Sequence, residues 1–142
     1  MRGRTTRSFA TLGFALLLAL PACGGDDNGG STVDATEKDF AIGVDPATAP
    51  AGTIDFEINN AGPSVHEFVV FQTDLAPDQL PVNDDGTVNE EGKGVTHIDE
   101  VEDIAVGATE SLSVDLDAGN YLLICNLPGH YKAGMHAPIT VK

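Results

Sequence analysis

Apolar and polar residues alternate with a period of two along most of the chain. The alternation is clearest over residues 54–58 and 112–116, where apolar side chains are separated by acidic, serine or amide residues. Shorter stretches with the same spacing cover residues 40–42 and 66–70. Because successive side chains of a strand point to opposite faces, this pattern predicts half-buried β-strands.

Two more strands are predicted towards the end of the chain. Residues 121–124 form an apolar run behind the turn sequence 117–120, and residues 139–141 form a short final strand. The best helical candidate, Leu75–Leu80, contains Pro77 and is followed by Pro81, so it can form at most a turn or two. The pattern therefore predicts an all-β protein with little helix, an antiparallel β-sandwich or barrel.

One acidic segment fits this pattern poorly. Residues 83–103 carry eight acidic side chains against Lys93 alone, a local charge of −7. We interpret the segment as a solvated surface loop inserted between strands, with a docking patch as the alternative. Its spacing does not match a calcium-binding EF-hand loop.

The N-terminus has the features of an export signal. Three arginines precede the uncharged apolar run Phe9–Leu20, which is too short to predict a transmembrane span. The run ends in Pro21-Ala22-Cys23, which resembles the bacterial lipobox, in which the cysteine is lipidated. We predict a lipoprotein signal peptide over residues 1–22 and lipidation at Cys23. An ordinary signal peptide or an uncleaved anchor is the alternative.

The predicted signal divides the chain into three parts. Residues 23–34, rich in glycine and aspartate, are expected to form a flexible tether, and residues 35–142 one folded domain. The protein is then exported and held by its lipid, facing the periplasm or the cell exterior, with no other membrane contact.

The charge of the chain restricts its partners. The net charge is −15, and removal of the three arginines in residues 1–22 leaves 4 basic and 22 acidic residues, or −18. Such a surface argues against nucleic-acid binding and favours partners with a basic face.

The metal-ligand candidates are concentrated near the C-terminus. Cys125, His130 and Met135 follow a predicted buried strand in the pattern C-x4-H-x4-M, and His66 lies between two predicted strands. Thiolate, imidazole and thioether donors together select copper, whereas a thioether adds little for zinc, the minor alternative. A disulfide between Cys23 and Cys125 is conceivable, but lipidation would consume Cys23.

These residues carry a resemblance to a known family. Residues 62–66, 118–121 and 125–135 closely resemble the corresponding motifs of the cupredoxins, the small type 1 blue copper proteins. The resemblance implies a Greek-key β-sandwich, one copper ion per chain and one-electron transfer. It also implies four copper ligands: His66, Cys125, His130 and Met135.

The resulting hypothesis is a monomeric electron carrier. Its partner would be a redox protein with a basic face, such as a c-type cytochrome or an oxidase domain. Copper binding and delivery without electron transfer is the alternative. An enzyme is not expected, because Ile124 and Asn126 flank the cysteine where copper oxidases of this superfamily have histidines. His97 and His136 are expected to be surface residues outside the ligand set.

Overall fold

The computed structural model describes residues 30–142. The predicted signal peptide, the lipidation site Cys23 and the tether as far as Gly29 lie outside the described residues. Nine strands and no helix occur over residues 30–142, and accordingly no helix there is long and apolar enough to cross a membrane. The strands are β1 (Ser31–Lys38), β2 (Ala41–Asp45), β3 (Thr48–Ala49), β4 (Gly52–Asn60), β5 (His66–Thr73), β6 (Val95–Ile104), β7 (Thr109–Leu116), β8 (Gly119–Ile124) and β9 (His136–Val141).

The strands form two sheets, which confirms the predicted all-β sandwich. One sheet has the order β2-β1-β4-β7 and the other the order β3-β9-β8-β5-β6. Two pairs, β1 with β4 and β3 with β9, are parallel, whereas the prediction was wholly antiparallel. The parallel pairs join strands that are distant in sequence, and alternation of side chains carries no information on strand direction.

The main core lies between the two sheets. The alternating apolar residues predicted over 54–58 and 112–116 point inwards, and Phe56 packs against Phe68 of the opposite sheet with ring centroids 5.4 Å apart. The same cluster contains Cys125 and Met135, both with no exposed surface. Two of the four metal-ligand candidates are therefore packed tightly in the core.

A second apolar cluster covers the outer face of the five-stranded sheet. Val69, Phe71 and Ile124 face outwards and pack against Leu80 and Val88 of the long loop 74–94. Two side chains from the C-terminal loop 125–135 hold this long loop in place. The Tyr131 hydroxyl group accepts a hydrogen bond from the Leu80 N–H (2.9 Å) and donates one to the Pro77 carbonyl (2.8 Å). The side-chain oxygen of Asn126 accepts a hydrogen bond from the Val88 N–H.

The acidic segment is only partly a loop, so the prediction for it needs correction. Residues 95–104 form β6, an edge strand paired with β5. Its apolar residues Val95, Ile98, Val101 and Ile104 recur every third position, which matches no strand period. Two irregularities in the β5–β6 pairing each place one extra residue on β6. These β-bulges explain the spacing, and they could not be inferred from the sequence of β6 alone.

The N-terminal boundary and one predicted strand position also differ from expectation. β1 begins at Ser31, four residues before the predicted domain start, because Val33 and Ala35 are buried in the main core. Phe40, expected to alternate with Ile42 in a strand, lies in the turn between β1 and β2 and is 50% exposed. Its backbone has φ +63°, so the chain reverses there and the side chain projects outwards.

Candidate metal centre

Three of the four predicted ligands meet at one end of the sandwich. His66 is the first residue of β5, Cys125 directly follows β8, and His130 lies in the loop between β8 and β9. The Cys125 Sγ atom lies 3.4 Å from Nδ1 of His130 and 3.9 Å from Nδ1 of His66. One ligand atom from each of these residues lies within 4.8 Å of the other two.

These separations are those of donors that share a metal ion. A thiolate and an imidazole bound to one metal at about 2.3 and 2.0–2.1 Å are separated by about 3.6–3.8 Å at tetrahedral to trigonal angles. The two sulfur–nitrogen distances fall on either side of that range. Both histidines present Nδ1 to the sulfur, which leaves each Nε2 free for an outer partner. The residues present therefore fit a copper ion in a thiolate–imidazole site.

Met135, the fourth predicted ligand, lies at the far end of the same loop. Its side chain is fully buried in the main core with Cys125. Its backbone N–H donates to the carbonyl of His130 (3.1 Å), and its carbonyl accepts from the N–H of Cys125 (3.2 Å). These two hydrogen bonds close the loop, so that all three residues are held by the same short segment.

The ring of His66 faces a carboxylate that the sequence analysis missed, although the two facing atoms form no hydrogen bond. Asp39 Oδ1 lies 3.4 Å from Nε2 of His66, and the Ser64 hydroxyl donates to Asp39 Oδ2 at 3.0 Å. A carboxylate behind a ligating histidine fixes the ring and makes the opposite nitrogen a stronger donor. Nothing in the sequence marks Asp39, because it lies 27 positions before His66 and approaches it only across the fold.

Burial sets the protonation of the metal-free donors. It raises the pKa of the Cys125 thiol to about 11, against two backbone N–H groups that favour the thiolate. Burial, and then the neighbouring His130, lower the pKa of His66. The imidazole is therefore neutral and ready to bind at neutral pH, whereas the thiol must lose a proton.

Two further carboxyl groups close to the centre are held in unusual environments. Glu37 has no exposed surface and neither of its side-chain oxygens has a hydrogen-bond partner. Burial, and then Glu67, raise the pKa of Glu37 to about 8. Burial, followed by repulsion from Glu100, raises the pKa of Glu67 to about 7. Glu37 could not be recognised from sequence, since an acidic residue is ordinarily solvated.

The rim around His130 is apolar, and its exposed side chains come from other loops. The exposed apolar side chains at this end are Phe40, Val65 and Val106, each between 44% and 53% exposed. Val106 is placed there by its approach to Gly62, four positions before His66. Tyr131, the residue after His130, points instead into the outer cluster and is 3% exposed.

The two remaining histidines lie outside the three-residue cluster. His136 is half-buried beside the ring of Tyr131, with centroids 5.6 Å apart. His97, expected to be solvent-exposed, is also half-buried, since its ring packs against Phe71 of the neighbouring strand at 5.7 Å. The cross-strand pairing of His97 with Phe71 explains this partial burial.

A two-sheet sandwich that gathers one cysteine and two histidines at one end is the architecture of a cupredoxin. Comparison with known proteins agrees and is more specific. The sequence profile of the sulfocyanin (SoxE) domain matches residues 41–142, and the chain belongs to that family. No curated protein sequence gives a significant match.

Solved structures show the same fold at low sequence identity. Auracyanin A, a blue copper protein from Chloroflexus aurantiacus, is 19% identical over 80% of this chain and 100% of its own, with a TM-score of 0.56. Rusticyanin from Thiobacillus ferrooxidans is 20% identical over 80% of this chain and 79% of its own, with a TM-score of 0.55. A laccase from Pediococcus acidilactici is 18% identical over 96% of this chain and 32% of its own, with a TM-score of 0.53.

Proposed function

We propose that this protein is a one-electron carrier built on a single type 1 copper site, with His66, Cys125, His130 and Met135 as ligands. The observation that carries the proposal is the approach of two imidazole Nδ1 atoms to the buried sulfur of Cys125, at 3.4 and 3.9 Å. Copper bound there would supply a one-electron redox couple between Cu(I) and Cu(II). A mixed set of sulfur and imidazole ligands can bind the ion in both oxidation states.

The protein part of the function is to hold these donors nearly fixed. Cys125 and Met135 are packed in the main core, and His66 is fully buried with its Nε2 facing Asp39. Donors that do not move when the charge of the ion changes keep the reorganisation accompanying electron transfer small. His130 is the exception to complete burial, because its half-exposed ring lies between Cys125 and the apolar rim. We assign to His130 the path by which electrons enter and leave.

The surface supports a transient encounter with a basic partner. Phe40, Val65 and Val106 offer a small apolar contact beside His130, and the acidic excess of the chain gives the protein a net negative charge. Small apolar contacts suit short-lived redox complexes, and charge steers the approach. A c-type cytochrome or an oxidase domain with a basic face would fit this surface. The exported, lipid-anchored location predicted from residues 1–23 would place the protein among such partners.

Visible absorption and electron paramagnetic resonance of the chain loaded with one equivalent of Cu(II) test the ligand set. We expect an intense thiolate-to-copper band and narrow hyperfine splitting. Both should disappear in Cys125→Ala and be strongly altered in His66→Ala. The control is Glu110→Gln, which changes an exposed residue on β7 in the other sheet and should leave both signals unchanged.

Cyclic reduction and reoxidation then separates electron transfer from copper delivery. A carrier keeps its copper through repeated cycles in the presence of a Cu(I) chelator, whereas a delivery protein transfers it to the chelator after the first reduction. A weakly coloured protein with wide hyperfine splitting would contradict the type 1 assignment. Catalysis is not part of the proposal, since Ile124 and Asn126, rather than histidines, flank Cys125.

A further inference from the structure

A second group of metal-binding side chains lies on the outer face of the five-stranded sheet. Glu90 belongs to the long loop 74–94, and His97 and Glu100 belong to the edge strand β6. One ligand atom from each of the three lies within 4.8 Å of the other two. The group mixes imidazole with carboxylate, a donor set that zinc and similar divalent transition metals accept.

The imidazole of this group is held in place without a proper partner. His97 Nε2 is buried and makes no hydrogen bond, although Glu100 Oε2 lies 3.5 Å away. The ring cannot turn freely, because its face packs against Phe71 at a centroid distance of 5.7 Å. Buried polar atoms in proteins normally have a hydrogen-bond partner, and Nε2 of His97 has none. A cation between the three side chains would supply it.

One of the two carboxylates is positioned by a neighbouring side chain. The side-chain amide of Asn126 donates to Glu90 Oε1 at 3.0 Å. No lysine or arginine forms an ion pair within residues 30–142, where both ion pairs join a histidine to an acid. The negative charge of the group is thus left without a basic side chain to balance it.

We infer that Glu90, His97 and Glu100 form a second metal site, specific for a divalent transition metal such as Zn²⁺ and separate from the cysteine-containing centre. The bound ion would join the loop 74–94 to the edge strand β6. This inference does not depend on the proposed electron-transfer function, since none of its three ligands belongs to that centre.

Calorimetric titration with Zn²⁺ tests the site in the full chain carrying Cys125→Ala, which removes the thiolate of the other centre. We expect saturable binding of one Zn²⁺ to this group, weakened about tenfold or more by His97→Ala and by the conservative Glu100→Gln. Glu110→Gln is the matched control, because it removes the same charge from an exposed position on β7 in the other sheet. It should leave the affinity unchanged.

Two further measurements guard against misfolding and against loose counterion binding. Saturating Zn²⁺ should raise the melting temperature of the parent chain and of Glu110→Gln, but not of His97→Ala. Millimolar Mg²⁺ should not compete, because it prefers oxygen donors. The inference is overturned if Zn²⁺ binding is absent, if it is unaffected by His97→Ala, or if Mg²⁺ displaces Zn²⁺ as a non-specific counterion would.

Discussion

The edge of the Phe40 ring packs against the imidazole of His130, with centroids 5.5 Å apart and ring planes at 76°. Phe40 reaches this position only because its backbone adopts a φ of +63°. A bulky residue in this region costs about 1–2 kcal/mol of conformational free energy. Strain of this kind persists where the surroundings impose it and is concentrated at functional sites.

Replacement of Phe40 by glycine should therefore slow electron self-exchange while leaving the stability of the fold nearly unchanged. Relief of strain is opposed by the backbone entropy of glycine, so we expect the free energy of unfolding to change by less than about 1 kcal/mol. Electron self-exchange, measured by line broadening in mixtures of oxidised and reduced protein, should slow severalfold because the apolar contact beside His130 is lost. Leu75→Ala, at an exposed apolar position on another surface, is the control. An unchanged exchange rate would remove Phe40 from the proposed contact.

Replacement of Asp39 by asparagine should weaken copper binding. The carboxylate that faces Nε2 of His66 would be replaced by a neutral group, so the ring loses the negative charge that strengthens its opposite nitrogen as a donor. Losses of this kind cost about 10–100-fold in metal affinity. Competition with a chelator of known affinity measures the change. Asp45→Asn, an exposed aspartate on β2, serves as the control for net charge. Equal affinities for the two variants would show that the carboxylate does not support the ligand.

Binding of copper should release about one proton per ion at pH 7. The pKa of the Cys125 thiol is raised to about 11, so the metal-free side chain is protonated and must lose its proton to bind. The lowered pKa of His66 means that this imidazole contributes no proton. Calorimetry in buffers of different ionisation enthalpy gives the number released. Cys125→Ser should release close to none, and a wild-type value near zero would indicate a preformed thiolate.

Glu37 should make the copper-free protein less stable as the pH rises. Burial raises the pKa of Glu37 from 4.5 to about 8, so between these values the folded protein binds a proton that the unfolded chain does not. Stability from this group is complete below pH 4.5 and declines as the pH rises towards 8, by up to about 1.4 kcal/mol per pH unit.

Urea unfolding of the wild type and of Glu37→Gln at pH 5.5 and pH 8 measures this effect. Because glutamine does not titrate, the variant should gain about 3 kcal/mol relative to the wild type between the two pH values. Glu67 shifts in the same direction and is present in both proteins, so the difference reports Glu37 together with its coupling to Glu67. A constant difference at the two pH values would place the Glu37 carboxyl group in water.

Loss of the Tyr131 hydroxyl group should loosen the long loop 74–94. Tyr131→Phe leaves the buried N–H of Leu80 without its acceptor, which costs about 1–3 kcal/mol. Hydrogen exchange at Leu80 and Val88 should accelerate as the loop opens. The control is Tyr121→Phe. The hydroxyl group of Tyr121 donates to the Asp117 carbonyl, so its removal leaves no N–H without an acceptor. If both variants lose the same stability and exchange equally, Tyr131 does not fasten the loop.

The local parts of the fold and site were predictable from sequence, whereas most of the long-range parts, apart from the approach of His66 to Cys125, were not. Strands β4 and β7 have one buried and one solvated face, so alternation reveals them directly. In β6 two bulges break that alternation, and in β1 the buried residues are small or, in the case of Glu37, charged. Cys125, His130 and Met135 are recognisable because one short segment carries them. Asp39 and Phe40 reach the centre only through folding of the chain.

The bulged, acidic β6 also bears on how these molecules behave when crowded together. As the outermost strand of its sheet it has unpaired backbone groups, which in a flat apolar strand would recruit a neighbouring molecule. The two bulges interrupt the regular pairing surface, and Asp99, Glu100, Glu102 and Asp103 place like charges along it. A second copy approaching this edge would meet both an irregular hydrogen-bonding pattern and repulsion. The irregular pairing and the negative charge that hid β6 in the sequence thus also protect the protein against edge-to-edge aggregation.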